Sequence, residues 1–151
     1  MINKLKELFL KLEKKKGSIN SDTEIEDKDI SLTCAALLIE LVFADKIMNT
    51  EEIDSLRSSL EKTYELDEAT VNELIENGEK TVRDSTSLYE YTKPINEFLE
   101  YKDKLLLIGS MWKLAYADGN LDKYEEHLIR KVSDLIHIEH KDFINQKLQN
   151  K

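Results

Sequence analysis

The feature that most constrains this chain is an internal repeat with a spacing of 73 residues. The pentapeptide at 41–45, LVFAD, aligns with LAYAD at 114–118. Further pairs keep this spacing: Met48 with Leu121, Asn49 with Asp122, Glu52 with Glu125, and Leu56 with Ile129. After a one-residue slip, Leu66 corresponds to Ile138. Self-similarity of this kind predicts two copies of one structural unit, at about residues 30–66 and 103–139.

Each copy is predicted to be a helical hairpin. An apolar segment with helical spacing is followed by a short polar turn and then by a second, amphipathic helix. The apolar helices at 30–44 and 104–117 are expected at the centre, where two hairpins related by a pseudo-twofold axis would cover both of their faces. Helical spacing predicts further helices at 50–63, 66–83, 87–101, 122–136 and 142–148. With four glycines and one proline in 151 residues, we expect a single-domain, all-α bundle of about seven to eight helices.

The first 28 residues differ from the rest in charge and pattern. Residues 1–16 contain six lysines and two glutamates, and apolar residues recur at helical spacing, which predicts an amphipathic basic helix. The polar residues 17–28 are predicted to be a linker, and residues 29–151 to be the helical domain. The basic helix could lie on an anionic membrane surface, or it could dock onto the acidic body or onto a partner helix.

Composition narrows the functional classes. A net charge of −9 disfavours nucleic-acid binding, which requires clustered cations. The single cysteine excludes an internal disulfide, and the longest apolar run, residues 35–39, is too short to span a bilayer. We therefore expect a cytoplasmic protein. The sequence has no phosphate-binding glycine loop, nucleotide fingerprint or zinc-protease motif, so we expect a protein partner rather than enzymatic activity or a small-molecule substrate.

The two predicted turns are rich in oxygen ligands. The second carries Asp118, Asn120, Asp122 and Glu125 at i, i+2, i+4 and i+7, and the first carries Asp45, Asn49, Glu51 and Glu52. Carboxylate and amide oxygens suit Ca²⁺ or Mg²⁺ better than Zn²⁺. The spacing is not that of an EF-hand. Glu40 lies one and a half helical turns before the first turn and could join it.

The same residues also match helix caps. Asn49 with Glu52 and Asp122 with Glu125 follow the capping-box pattern, in which the first side chain accepts an early backbone amide and the second reaches back. Asp45 and Asp118 could satisfy turn amides. The residues alone leave both interpretations open.

The segments at 44–52 and 112–125 resemble the TerB-like domain, which is named for the tellurite-resistance protein TerB. Residues 88–92 and 132–135 also fit that family, and the resemblance covers about residues 30–145. It implies an all-helical fold, a divalent-metal site built from acidic residues at the two turns, and a stress-response context. Lys46 departs from the pattern, since the second copy has Gly119 there.

Two functional hypotheses follow. In the first, the protein is a cation-binding module. Its ligands are Asp45, Glu52, Asp118, Asp122 and Glu125, with Glu40, Asn49 and Asn120 as weaker candidates. In the second, it is a metal-free adaptor that binds a partner through its acidic surface or its N-terminal helix, and the turn residues are caps.

Overall fold

The computed structural model describes residues 27–43, 50–77, 88–119 and 121–151. These residues form seven helices and no strands, which confirms the all-α prediction. The helices are α1 (Asp27–Phe43), α2 (Thr50–Ser58), α3 (Glu68–Glu76), α4 (Tyr89–Phe98), α5 (Tyr101–Ala115), α6 (Lys123–Leu135) and α7 (His140–Gln149). The predicted basic helix lies outside the described residues, and α1 includes the last two residues of the predicted linker.

Helices α1 and α5 form the centre of the molecule, as the repeat predicts. The stretch from Leu32 to Ile39 is buried on every side of α1, and so is the stretch from Leu107 to Trp112 in α5. A helix that is apolar all round is stable in water only when neighbouring helices cover it. The two central helices pack on each other, and the remaining hydrophobic core is built around this pair.

The packing around the central pair follows the pseudo-twofold relation. Helix α2 packs on α1 within its own hairpin and also reaches α5. Helix α6 packs on α5 within its hairpin and also reaches α1. Each hairpin therefore contributes its second helix to both central helices, so neither hairpin buries its apolar face alone.

The one-residue slip in the repeat has a structural explanation. Both hairpins end at a residue in the left-handed region, Glu65 with φ 54° and His137 with φ 63°. Each is followed by a buried residue, Leu66 or Ile138. The first hairpin holds one more residue before this point, and α2 accommodates it by continuing as a π-helical turn, Ser59–Thr63. A single π turn inside an otherwise α-helical segment is the usual form of such an insertion.

The two repeat copies correspond in structure only as far as the ends of the hairpins. Helix α7 packs along α5. By position in the repeat its counterpart is α3, but α3 contacts mainly the π turn, and α4 packs along α1 in its place. Arg57 in α2 donates to the Asn72 side chain and joins α2 to α3.

Gly109 in α5 allows α7 to pack closely against α5. A Cβ at this position would lie 2.6 Å from Gln146 Oε1 and 3.2 Å from Asn150 Nδ2. In a Gln146→Ala background, Gly109→Ala should raise the free energy of unfolding by about 1 kcal/mol through helix propensity. In the wild-type background the gain should be smaller, because the Gln146 side chain must move. Urea denaturation of the four proteins measures both effects, and equal gains in the two backgrounds would contradict this account.

Candidate functional site

The turn of the second hairpin begins where α5 ends at Ala115. Its backbone closes through a hydrogen bond of 2.9 Å from the Gly119 amide to the Tyr116 carbonyl. Gly119 has φ +83°, a conformation that glycine adopts without steric cost. Asp118, one of the predicted ligands, is exposed on this turn. The predicted ligands Asn120, Asp45 and Asn49 lie outside the described residues.

Asp122 caps α6, as the capping interpretation predicts. Its Oδ1 accepts the Tyr124 amide at 2.7 Å, at the second helical position. In the capping-box pattern the first side chain instead bonds the third position, which Glu125 occupies here. Asp67 at the start of α3 does use the third position, accepting the Thr70 amide at 2.7 Å. The hydrogen bond of Asp122 is therefore not that of a capping box, and it does not account for a glutamate at position 125.

Glu52 and Glu125 are the most unusual of the predicted residues, because both are buried. Their exposed fractions are 2% and 1%, and the Oε2 atom of each is shielded from solvent. They occupy equivalent positions in the first turns of α2 and α6. Both carboxyl groups make further contacts within the protein. Removing a charged carboxylate from water is costly unless it is compensated, and the two hairpins each bury one at the same position.

Glu40 of α1, which was predicted to join the first turn, has a hydrogen-bond partner on α4. The Tyr91 hydroxyl of α4 donates to Glu40 Oε1 at 3.4 Å, and Tyr91 is 2% exposed. The sequence did not indicate this contact, because the two residues are 51 positions apart. In the part of the chain that the structure describes, no three His, Cys, Asp or Glu side chains are grouped closely enough to hold a metal ion. Asp122 and Glu125 lie at one helix start, and Glu52 belongs to the other hairpin.

The proximity of Cys34 on α1 to the Tyr64 side chain was not predicted from the sequence. Burial raises the pKa of Cys34 from 9.0 to about 12, although the neighbouring Tyr64 hydroxyl partly opposes the rise. Burial also raises the pKa of Tyr64, whose hydroxyl faces Cys34 and Ser110. These residues come from α1, from the segment after the π turn and from α5. No local pattern could have linked them.

The fold and the two acidic helix starts define a class of protein: an all-helical domain in which paired hairpins carry carboxylates at equivalent helix starts. The family model of the tellurite resistance protein TerB matches residues 31–148, and the chain belongs to this family. No match was found among curated proteins or among solved structures. None of the helices in the described ranges is long and apolar enough to cross a membrane.

Proposed function

We propose that this tellurite-resistance-type domain is a non-enzymatic module that binds a divalent cation at its acidic turns. The observation that supports the proposal is the burial of Glu52 and Glu125 at equivalent positions of the two hairpins. A buried carboxylate is retained where it is hydrogen-bonded, paired with a cation or coordinating a metal. Solvent-facing caps need no such burial, as Asp67 shows at the exposed start of α3.

The donor chemistry suits a hard cation, and binding would have to bring the carboxylates of each turn closer together than the described residues hold them. Carboxylate oxygens favour Ca²⁺ or Mg²⁺, and Ca²⁺ takes six to eight oxygen ligands from flexible loops. Glu125 would provide a buried ligand at the second turn, and Asp118 and Asp122 lie on the adjoining segment. Glu52 would serve the first turn in the same way, and Asp45, Asn49 and Asn120 would complete the two sets.

In such binding, each hairpin would supply ligands from both of its helices, on the two sides of the turn. Glu52 and Glu125 sit on the first turns of α2 and α6, while Asp118 follows the end of α5. Ligands taken from both helices of a hairpin would fix the distance between those helices. Binding would therefore stabilise the folded hairpins without a catalytic step.

A thermal melt of metal-stripped protein tests the proposal. With an ion at about 100 times its dissociation constant, the folded state gains roughly 2.7 kcal/mol, which for a domain of this size raises Tm by roughly 5–11 °C. We expect this rise with millimolar Ca²⁺ or Mg²⁺, and its loss in Glu125→Gln and in Asp118→Asn.

Asp134→Asn is the matched control, because Asp134 is an exposed carboxylate at the far end of α6. It should retain the full rise. If no ion raises the Tm of the wild-type protein, the carboxylates are structural, and the metal-free adaptor becomes the better description. A rise in Tm that persists in Glu125→Gln would show that the ion binds elsewhere in the chain.

A further inference from the structure

The two halves of the fold carry very different charge. Residues 50–77 contain nine acidic and two basic side chains, whereas their counterparts at 123–150 contain five of each. Both segments build the second helix of a hairpin and the helix that follows it. Because a neutral segment does this equally well, the acidic excess on α2 and α3 is not a requirement of the hairpin.

The excess lies on the surface. Six of the nine carboxylates are exposed: Glu51, Asp54, Glu65, Asp67, Glu68 and Glu76. We call the surface that carries these six residues, on α2, on α3 and on the segment between them, the acidic face. It also contains apolar area, because Ile53 and Ile75 are packed against the core but only partly buried. Such a combination suits an amphipathic cationic segment, whose apolar residues cover the isoleucines while its cations meet the surrounding carboxylates.

Helix α3 is exposed on one side. Its counterpart in the repeat, α7, lies along the central helix α5, but α3 contacts mainly the π turn. Glu68, Ala69 and Glu76 of α3 are exposed. One side of α3 is therefore accessible to a docking segment.

The chain itself contains a segment of matching chemistry. Six lysines lie within residues 1–16, with two glutamates. The apolar residues Ile2, Leu5, Leu8, Phe9 and Leu12 recur at the spacing of one helix face. Ten residues, 17–26, separate this segment from the start of α1 and can span up to about 33 Å. A domain of this size has a radius of gyration of about 14 Å, so the acidic face is within reach.

We propose that residues 2–16 dock on the acidic face of their own chain. The short connection keeps the segment at a local concentration on the order of millimolar, which favours this contact over the same contact between molecules. Docking covers the apolar stripe of the segment and pairs its lysines with carboxylates of α2 and α3. Because the contact depends on exposed charges, salt weakens it.

Hydrogen exchange of the full chain tests this contact. We compare the wild type with a variant that carries Lys4→Glu, Lys6→Glu and Lys11→Glu, at low salt and at dilute protein. Amides of α2 and α3 should exchange about tenfold faster in the variant. High salt should remove the difference. A second variant, Glu68→Lys with Glu76→Lys, should also exchange faster, and combining the two sets should restore protection.

The matched control is Asp134→Lys with Glu139→Lys, which places the same charges on the exposed surface of the neutral half. It should leave α2 and α3 unaffected. Equal exchange in the wild type and the lysine variant would overturn the proposal, and so would protection that requires high protein concentration, because a second copy would then be the occupant. Vesicles containing phosphatidylglycerol provide a third test. If they bind the full chain as tightly as the isolated 1–16 peptide, the segment is not docked.

Discussion

In the folded protein, Cys34 should react with Ellman's reagent at pH 8 about a thousandfold more slowly than in the urea-unfolded chain. Cys34 is 1% exposed on α1, and burial raises its pKa to about 12. Only the thiolate is the nucleophile, and at pH 8 a thiol with that pKa is ionised in about one molecule in ten thousand. The rate should rise about tenfold per pH unit between pH 8 and 10, because the thiolate fraction does.

An exposed thiol on the same domain provides the control. Tyr124 is 73% exposed on α6, so a Cys34→Ala, Tyr124→Cys protein should react at the rate of the unfolded chain. Circular dichroism before and after labelling verifies that the fold persists. Rapid labelling of Cys34 in a protein that stays folded would contradict both its burial and its raised pKa.

The repeat made the centre of this fold predictable. Residues 41–45 and 114–118 encode the same hairpin twice, and a hairpin with one apolar face must pair with another. The sequence thus gives α1 and α5 as the buried centre, and the structure confirms it. The slip between Leu66 and Ile138 corresponds in the structure to the extra residue of the π turn.

The arrangement outside the hairpins was not predictable, for a physical reason. Amphipathic helices such as α3, α4 and α7 could each cover a central helix, and local spacing does not say which one does. The same limit applies to Cys34 and Tyr64, which are 30 positions apart and meet only through the fold. Long-range contacts of this kind leave no periodic signal in the sequence.

The sequence indicated which residues to consider for the candidate site, but not the environment of their side chains. Asp122 was a candidate both as a metal ligand and as a helix cap, and it does cap α6. The repeat pairs Glu125, and not Glu126, with Glu52, but it does not predict burial: Glu125 is 1% exposed while Glu126 faces Lys147 near the surface. Helix phase decides between them, because the inward side of α6 is fixed by Ile129 and Val132. Glu125 lies one turn before Ile129 on that side.

Replacing Trp112 with alanine should lower the free energy of unfolding by about 3–5 kcal/mol. Trp112 is fully buried in α5, with ring centroids 5.9 Å from Tyr116 and 5.3 Å from Phe143 of α7. Lys147 Nζ lies 5.3 Å from the centre of its ring and 3.3 Å from Glu126 Oε1 of α6. The indole thus lies where α5, α6 and α7 meet. Its loss leaves a cavity and removes the aromatic and cation–π contacts together.

Two further variants serve as controls. Unfolding is followed by circular dichroism, because Trp112 is the only tryptophan of the chain. Trp112→Phe should lose less than half as much stability as Trp112→Ala, because Nε1 is buried without a hydrogen-bond partner in the described ranges and a phenyl ring retains much of the packing. Tyr124→Ala removes an exposed ring from α6 and should change stability by less than about 0.5 kcal/mol. If Trp112→Ala cost no more than Tyr124→Ala, α7 could not be packed on α5 as the structure shows. The cavity cost would then be missing from a side chain on which three helices of the second half converge.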